Sequence, residues 1–119
     1  MSKPLALIVE DDPYLNKIFS VTLKTDFEVE SMDTGDAALA RLDQVVPALV
    51  VLDLHLPGAS GEVILSKIRK DSRLTKIRVI LSTADERQAE VLHGKADVVL
   101  LKPVSPSQLK FLAQRLCRL

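Results

Sequence analysis

Residues 48–53 read Ala-Leu-Val-Val-Leu-Asp, an uninterrupted apolar run that ends on a carboxylate. A short run of this kind is typical of a parallel strand that is buried on both faces of its sheet. Parallel sheets bind their ligands beyond the carboxyl ends of the strands. Asp53, the residue at that end, is therefore the first candidate functional residue of the chain.

Similar runs recur along the chain and alternate with segments of helical periodicity. The other predicted strands cover 5–9, 27–32, 77–82 and 98–101, and the second alternates apolar with polar residues, as a half-exposed edge strand does. Helices are predicted to start at Asp12-Pro13, Thr34-Gly35, Ser60, Asp85 and Ser105-Pro106, and the second to stop before Pro47. This alternation predicts one α/β domain over residues 1–119, a doubly wound (βα)5 unit with a five-stranded parallel sheet.

The composition is that of an ordinary globular domain. Of the 119 residues, 47% are hydrophobic and 27% are charged, which excludes a disordered chain. Lys+Arg and Asp+Glu number 16 each, so the formal net charge is zero, and we expect no direct binding of nucleic acid or of a membrane surface. There is no signal peptide and no run of ~20 apolar residues, so a cytoplasmic protein is expected. Cys117 is the only cysteine, which excludes an internal disulfide.

Polar residues follow four of the predicted strands, at the point where each strand ends. They are Glu10 and Asp11 after the first strand, Asp53 after the third, Thr83 after the fourth and Lys102 after the fifth. Because carboxylates that are brought together repel one another, this set favours a hard divalent cation, Mg²⁺ or alternatively Mn²⁺. A hydroxyl and an ammonium beside the carboxylates suit phosphoryl transfer, with Asp53 as the nucleophile.

These residues resemble, in order and spacing, the receiver domain of two-component response regulators. The motifs that carry the resemblance are the acidic pair at 10–11, Asp-Leu-His-Leu-Pro-Gly at 53–58, Thr83-Ala84 and Lys102-Pro103, and it extends over essentially the whole chain. The resemblance implies a flavodoxin-like sheet of strand order 2-1-3-4-5. It also implies a cis peptide bond between Lys102 and Pro103.

The resemblance further implies a role for each polar residue. Asp53 is the implied phosphoacceptor, while Thr83 and Lys102 are the residues expected to contact the phosphoryl group. The implied metal ligands are Asp11, Asp53, the backbone carbonyl of His55 and, through a water molecule, Glu10.

A receiver takes its phosphoryl group from a sensor histidine kinase or a phosphotransfer protein. It then changes its contacts with a downstream effector protein or domain, and it catalyses only its own phosphorylation and dephosphorylation, so we do not expect an enzyme. Kinase docking is expected on the first helix, at Tyr14, Leu15 and Ile18. The last helix–strand–helix face is expected to carry the response, including formation of a homodimer.

Two residues depart from the family pattern. Val99 lies three positions before Lys102, where receivers commonly have an aromatic residue that rotates together with the threonine. His55 places an imidazole two positions after the phosphoacceptor, where it could alter dephosphorylation. The first departure leaves open a pseudo-receiver, which would be a phosphorylation-independent protein-interaction module.

Other assignments have local alternatives. Ser82 precedes Thr83, but neighbours in a strand point to opposite faces and Thr83-Ala84 matches the family better. A phosphatase with an aspartate nucleophile needs a second carboxylate as general acid–base, and this chain has His55 at the corresponding position. A basic run is interpreted as a solvated surface, with docking of an acidic partner as the alternative: Arg69, Lys70, Arg73, Lys76 and Arg78.

Overall fold

Strands and helices alternate strictly along the chain in a computed structural model that describes residues 2–119. The elements are β1 (Leu5–Val9), α1 (Pro13–Leu23), β2 (Glu28–Met32), α2 (Gly35–Leu42), β3 (Leu49–Asp53), α3 (Gly61–Lys70), β4 (Arg78–Thr83), α4 (Glu86–Leu92), β5 (Val98–Leu101) and α5 (Pro106–Leu116). The strands form one parallel sheet in the order β2-β1-β3-β4-β5. The predicted α/β class, (βα)5 architecture and strand order are confirmed, and the Lys102–Pro103 peptide bond is cis.

The helices begin where the sequence predicts because a short polar side chain caps each first turn. In α1, Asp12 Oδ1 accepts hydrogen bonds from the N–H groups of Tyr14 and Leu15. These N–H groups have no partner within the helix, so the cap satisfies donors that would otherwise need water. The caps of α2, α3, α4 and α5 are Thr34, Ser60, Asp85 and Ser105.

The second helix stops before Pro47, as the sequence predicts. It ends at Leu42, and Asp43 caps it. Val45 and Val46 are β-branched and therefore weak helix formers. The proline ring also disfavours the helical conformation of the residue that precedes it, so the segment 43–47 leaves the helix and leads into β3.

Two apolar layers cover the sheet and place β3 in the centre of the molecule. Val50 and Leu52 pack in the layer that contains Ile64 of α3, whereas Val51 packs with Phe19 of α1. Neighbouring strand residues enter different layers because their side chains alternate between the two faces. All residues of β3 are buried, so the strand carries its terminal carboxylate into the protein interior. Among residues 2–119, none of the helices has the length and apolar character that crossing a membrane requires.

A cluster of partly buried charged side chains links the amino ends of β4 and β5. Asp97 accepts hydrogen bonds from the Val79 N–H at 2.7 Å, from Arg69 at 2.9 Å and from Arg78 at 3.2 Å. Arg69 also donates to the backbone carbonyls of Lys95 and Ile77. Burial alone would raise the pKa of Asp97, but these donors outweigh it and hold the pKa below its usual range.

The same cluster adds detail to the interpretation of the basic run as a solvated surface. Four of its five residues are exposed: Lys70, Arg73, Lys76 and Arg78. Its arginines also have partners within the domain, since Arg69 and Arg78 bind Asp97 and Arg73 donates a hydrogen bond to the Leu42 carbonyl. Arg is suited to this work because its planar donors reach several acceptors at once.

Replacing Asp97 with Asn should destabilise the domain by about 1–3 kcal/mol, because it removes a charged acceptor and leaves two guanidinium groups without their anion. The depressed pKa adds a pH dependence: its contribution is present above the unfolded-state value of 3.8 and is lost as pH falls through the lower folded-state value. Urea unfolding at several pH values measures both effects.

The matched control is Asp43→Asn, since Asp43 forms an exposed ion pair with Lys67 and a side chain that is 66% exposed contributes little. Equal stabilities for the two variants at neutral pH would show that the Asp97 cluster does not hold the sheet.

Candidate functional site

Three carboxylates meet at the carboxyl edge of the sheet. One oxygen from each of Glu10, Asp11 and Asp53 lies within 4.8 Å of the others. Glu10 and Asp53 are buried, at 2% and 4% exposure, while Asp11 is exposed. The cause is the topology, because β1 and β3 are neighbours and pair Val9 with Leu52, so both strands end side by side. The clustering expected from the sequence is present.

Lys102 is the cation that faces these carboxylates. Its Nζ lies 3.2 Å from Glu10 Oε1 and 3.3 Å from Asp53 Oδ2. The Lys102 N–H donates to the Thr83 carbonyl at 2.8 Å, which fixes the residue at the end of β5. Burial would lower the pKa of Lys102, but the negative charges of Asp53 and Glu10 outweigh it and raise the pKa. The ammonium is therefore charged at neutral pH.

One ammonium does not compensate this much negative charge. Burial, reinforced by the charge of Asp53, raises the pKa of Glu10 from 4.5 to about 7, against the opposing effects of the Asp12 N–H and Lys102. Within residues 2–119, the polar contact of the buried Glu10 Oε1 is its ion pair with the Lys102 ammonium at 3.2 Å, which lies outside good hydrogen-bond geometry. An oxygen-only donor set with excess negative charge fits Mg²⁺ or Mn²⁺.

The loop after β3 approaches the phosphoacceptor candidate closely. His55 is exposed, and its backbone N–H donates to Asp53 Oδ1 at 3.4 Å. Gly61, the first residue of α3, leaves room for this turn: a Cβ there would collide with the Asp53 carbonyl and lie 2.7 Å from Leu54 Cα. The Gly61 N–H donates to the Leu54 carbonyl at 2.9 Å, which closes the loop.

Gly61 and Asn16 are positioning residues that the sequence reasoning missed. Asn16 Nδ2 donates to the carbonyl oxygens of Glu10 and Met32, at 2.9 and 3.1 Å, and so ties the ends of β1 and β2 together. A glycine directly after the capping Ser60 was a usable signal for a close backbone approach. Nothing in the local pattern distinguished Asn16 from a solvated helix residue.

Thr83 lies at the same edge but its hydroxyl is engaged elsewhere. The register pairs Asp53 with Ser82, so strand alternation puts Ser82 on the face of Asp53 and Thr83 on the opposite face. Thr83 Oγ1 accepts a hydrogen bond from the Asp85 N–H at 3.0 Å. Both side chains are buried. The structure therefore brings Glu10, Asp11, Asp53 and Lys102 together and keeps the Thr83 hydroxyl beside the start of α4.

Comparison with known proteins agrees with this fold. The family model of the response regulator receiver domain matches residues 6–114. The phosphate regulon transcriptional regulatory protein PhoB of Rhizobium meliloti is 32% identical over 89% of this chain, and the sensor histidine kinase TmoS of Ectopseudomonas mendocina is 31% identical over 91%. The BeF3-activated DrrB receiver domain superposes with a TM-score of 0.88 at 28% identity, covering 98% of this chain and 99% of that one.

The chain belongs to the response regulator receiver domain family, the signalling domains of two-component systems. It spans about half the length of PhoB (48%) and 11% of TmoS. Its relatives thus include both response regulators and a histidine kinase, in which the matched segment is one part of a longer protein.

The raised pKa of Glu10 generates a prediction for the metal-free protein. Because the folded state binds this proton more tightly, its contribution to stability is fully present below the unfolded-state pKa of 4.5 and is lost as pH rises through about 7. Glu10→Gln should remove this pH-dependent contribution to stability. At pH values above about 7, the variant should therefore be more stable than the wild type. Urea unfolding of both proteins in a chelator, across this pH range, isolates the difference.

Added Mg²⁺ should narrow that difference at high pH, because it stabilises the ionised Glu10. A wild-type-minus-variant difference that does not change with pH would mean that Glu10 titrates normally.

Proposed function

We propose that this domain accepts a phosphoryl group on Asp53 from a sensor histidine kinase or a phosphotransfer protein. The observation that carries the proposal is the position of the Asp53 carboxylate, buried at the end of β3 between the other acids and the Lys102 ammonium 3.3 Å away. This combination supplies a nucleophile, metal ligands and a counter-charge at one point. Phosphoryl transfer depends mainly on positioning and charge neutralisation, so the inventory suits it.

The transfer itself is a displacement at phosphorus. A carboxylate oxygen of Asp53 forms the new P–O bond while the P–N bond of the donor phosphohistidine breaks, and its electron pair returns to the imidazole nitrogen, which then takes up a proton. Lys102 stays beside Asp53 and neutralises a phosphoryl oxygen. Hydrolysis later releases inorganic phosphate and restores the carboxylate, with the exposed His55 at the entrance of the site.

The residues present fit a divalent ion. Asp11, Asp53 and the His55 carbonyl would hold Mg²⁺, or Mn²⁺, with Glu10 acting through a water molecule. The ion would supply charge neutralisation for the phosphoryl oxygens. Glu10 would be ionised beside such an ion, since an adjacent cation favours the charged form.

We propose that phosphorylation changes the conformation of the domain through the hydrogen bonds that cap the amino end of α4. The Thr83 hydroxyl accepts from the Asp85 N–H, and Asp85 Oδ1 in turn accepts from the N–H groups of Arg87 and Gln88 at 3.0 and 3.2 Å. To reach a phosphoryl group on Asp53, Thr83 must rotate from its present face and release Asp85. Because Val99 is too small to rotate with it, this cap replaces the usual aromatic partner.

The proposed partners follow from the family. The kinase or phosphotransfer protein would dock near Tyr14, which is 73% exposed on α1, and an effector protein or domain would contact the face formed by α4, β5 and α5. We place the protein in the cytoplasm and assign the domain no direct contact with nucleic acid, consistent with its zero net charge. A phosphorylation-independent pseudo-receiver has no feature of the site in its favour, because the carboxylates and Lys102 are all in place.

Incubation with acetyl phosphate and Mg²⁺ should add one phosphoryl group to the wild-type chain and none to Asp53→Asn, because the amide is not a nucleophile. Intact-mass measurement reads the result directly. Asp43→Asn, which alters an exposed aspartate directly after α2, is the matched control and should be modified like the wild type. An adduct on Asp53→Asn would move the acceptor to another residue, and no adduct on any protein would contradict the proposal.

Thr83→Val should uncouple the site from α4 while leaving phosphorylation in place. Valine keeps the shape of threonine but removes the acceptor of the Asp85 N–H, so this amide should exchange its hydrogen roughly fivefold faster, for a bond worth about 1 kcal/mol. Hydrogen exchange by NMR, with and without beryllium fluoride, measures it. Ser82→Ala is the control and should retain the wild-type response of α4; unchanged exchange in Thr83→Val would rule out this route.

A further inference from the structure

A groove with a volume of about 530 Å³ lies between α3 and the carboxyl end of α4. One of its walls is formed by five residues of α3: Glu62, Leu65, Ser66, Arg69 and Lys70. They recur at intervals of three and four, so they share one face of the helix. At the helical rise of 1.5 Å per residue, this wall is about 12 Å long. The groove therefore has the size and elongated shape of a small-molecule site.

The opposite wall consists of the end of α4 and the turn that follows it, at Leu92, Gly94 and Lys95. Gly94 has a φ of 102°, a left-handed conformation that ends the helix and redirects the chain. Arg69 Nε donates a hydrogen bond to the Lys95 carbonyl at 2.8 Å and so fastens this turn to α3. Because the two walls are already joined, a ligand would meet a preorganised groove.

The floor of the groove is apolar and its rim carries cations that lack an anion. Leu65 and Leu92 form the floor and are 2% and 5% exposed. Lys70 and Lys95 are exposed, and within residues 2–119 neither ammonium forms an ion pair. Arg69, by contrast, is already ion-paired. Two uncompensated positive charges thus lie beside an apolar surface.

The charge changes sign along the groove. Glu62 lies in the first turn of α3 and Lys70 is the last residue of the helix, so they line opposite ends. Lys95 lies at the basic end, since its carbonyl is held by a residue of the last turn of α3. The groove would therefore orient an anionic ligand, with its charge at the carboxyl end of α3 and its apolar part over the leucines.

We propose that this groove binds a small organic anion. Its apolar body would cover Leu65 and Leu92, and its anionic group, a carboxylate or a phosphate ester, would meet Lys70 and Lys95. A small molecule fits better than a protein segment, because the α3 wall offers only about two helical turns. The inference goes beyond the proposed function, and it is independent of phosphorylation because none of the acidic cluster lines the groove.

Titration of the full chain with 2-naphthoate, followed by NMR of the backbone amides at low salt, tests the proposal. The amide signals of residues 62–70 and 92–95 should shift with sub-millimolar affinity. The neutral analogue 2-naphthamide has the same shape and should bind several-fold more weakly. Added salt should weaken the naphthoate complex and leave the naphthamide complex unchanged, because only the first depends on exposed charges.

Charge variants identify the cations that bind. Lys70→Gln and Lys95→Gln should each weaken naphthoate binding roughly two- to fivefold, the effect of one partly exposed ion pair. Lys76→Gln removes an exposed lysine outside the groove and is the matched control, which should bind like the wild type. Glu62→Gln should strengthen naphthoate binding slightly. Ser66→Trp should block both probes by filling the groove, and circular dichroism verifies that each variant is folded.

Three outcomes would overturn the proposal. The first is naphthoate binding that survives Ser66→Trp or is unaffected by both lysine substitutions. The second is a set of shifted amides on another face of the domain. The third is a groove that ignores naphthoate but responds to a glutamate-rich amphipathic peptide, since its occupant would then be a protein segment. The acetyl phosphate experiment on Asp53 reads a different site, so either result can fail without the other.

Discussion

Mutual repulsion among buried carboxylates is the constraint on which the rest of this structure depends. The sheet order brings Glu10 and Asp53 together at the end of adjacent strands, and burial denies them the water that would otherwise screen their charges. Lys102 compensates only part of the charge, and burial, reinforced by the charge of Asp53, raises the pKa of Glu10 to about 7. The acidic cluster therefore fits a divalent cation, whose charge would restore the balance that the protein alone lacks.

Most of the fold and the centre of the site could be predicted because both depend on short-range patterns. Apolar runs identified the strands, capping residues identified the helix starts, and the rule that ligands bind at the carboxyl ends of strands located the carboxylates. The Asp97 cluster escaped prediction because it joins Arg69 to a residue far along the chain. The engagement of the Thr83 hydroxyl also escaped, since the sequence does not specify which of several nearby donors a side chain selects.

The helix α4 begins beside the candidate site and is held to it by one hydrogen bond. It is short, Leu92 is its one buried residue, and its first turn depends on the cap that Thr83 stabilises. Few apolar contacts hold it, so a change in one hydrogen bond can alter its position or its order. Val99 lines a cavity between α4 and β5 and leaves that space open rather than filled.

The Asp97 cluster also limits how α4 can move. Arg69 holds the Lys95 carbonyl, just beyond the carboxyl end of α4, while the amino end rests on the bond between Thr83 and Asp85. One end of the helix is thus tied to the sheet, and the other depends on a single hydrogen bond to the Thr83 hydroxyl. Loss of that hydrogen bond would let the helix tilt about its carboxyl end rather than slide along the sheet. Under the proposed function, the displacement would therefore be greatest at the amino end of α4 and smallest at the Asp97 cluster.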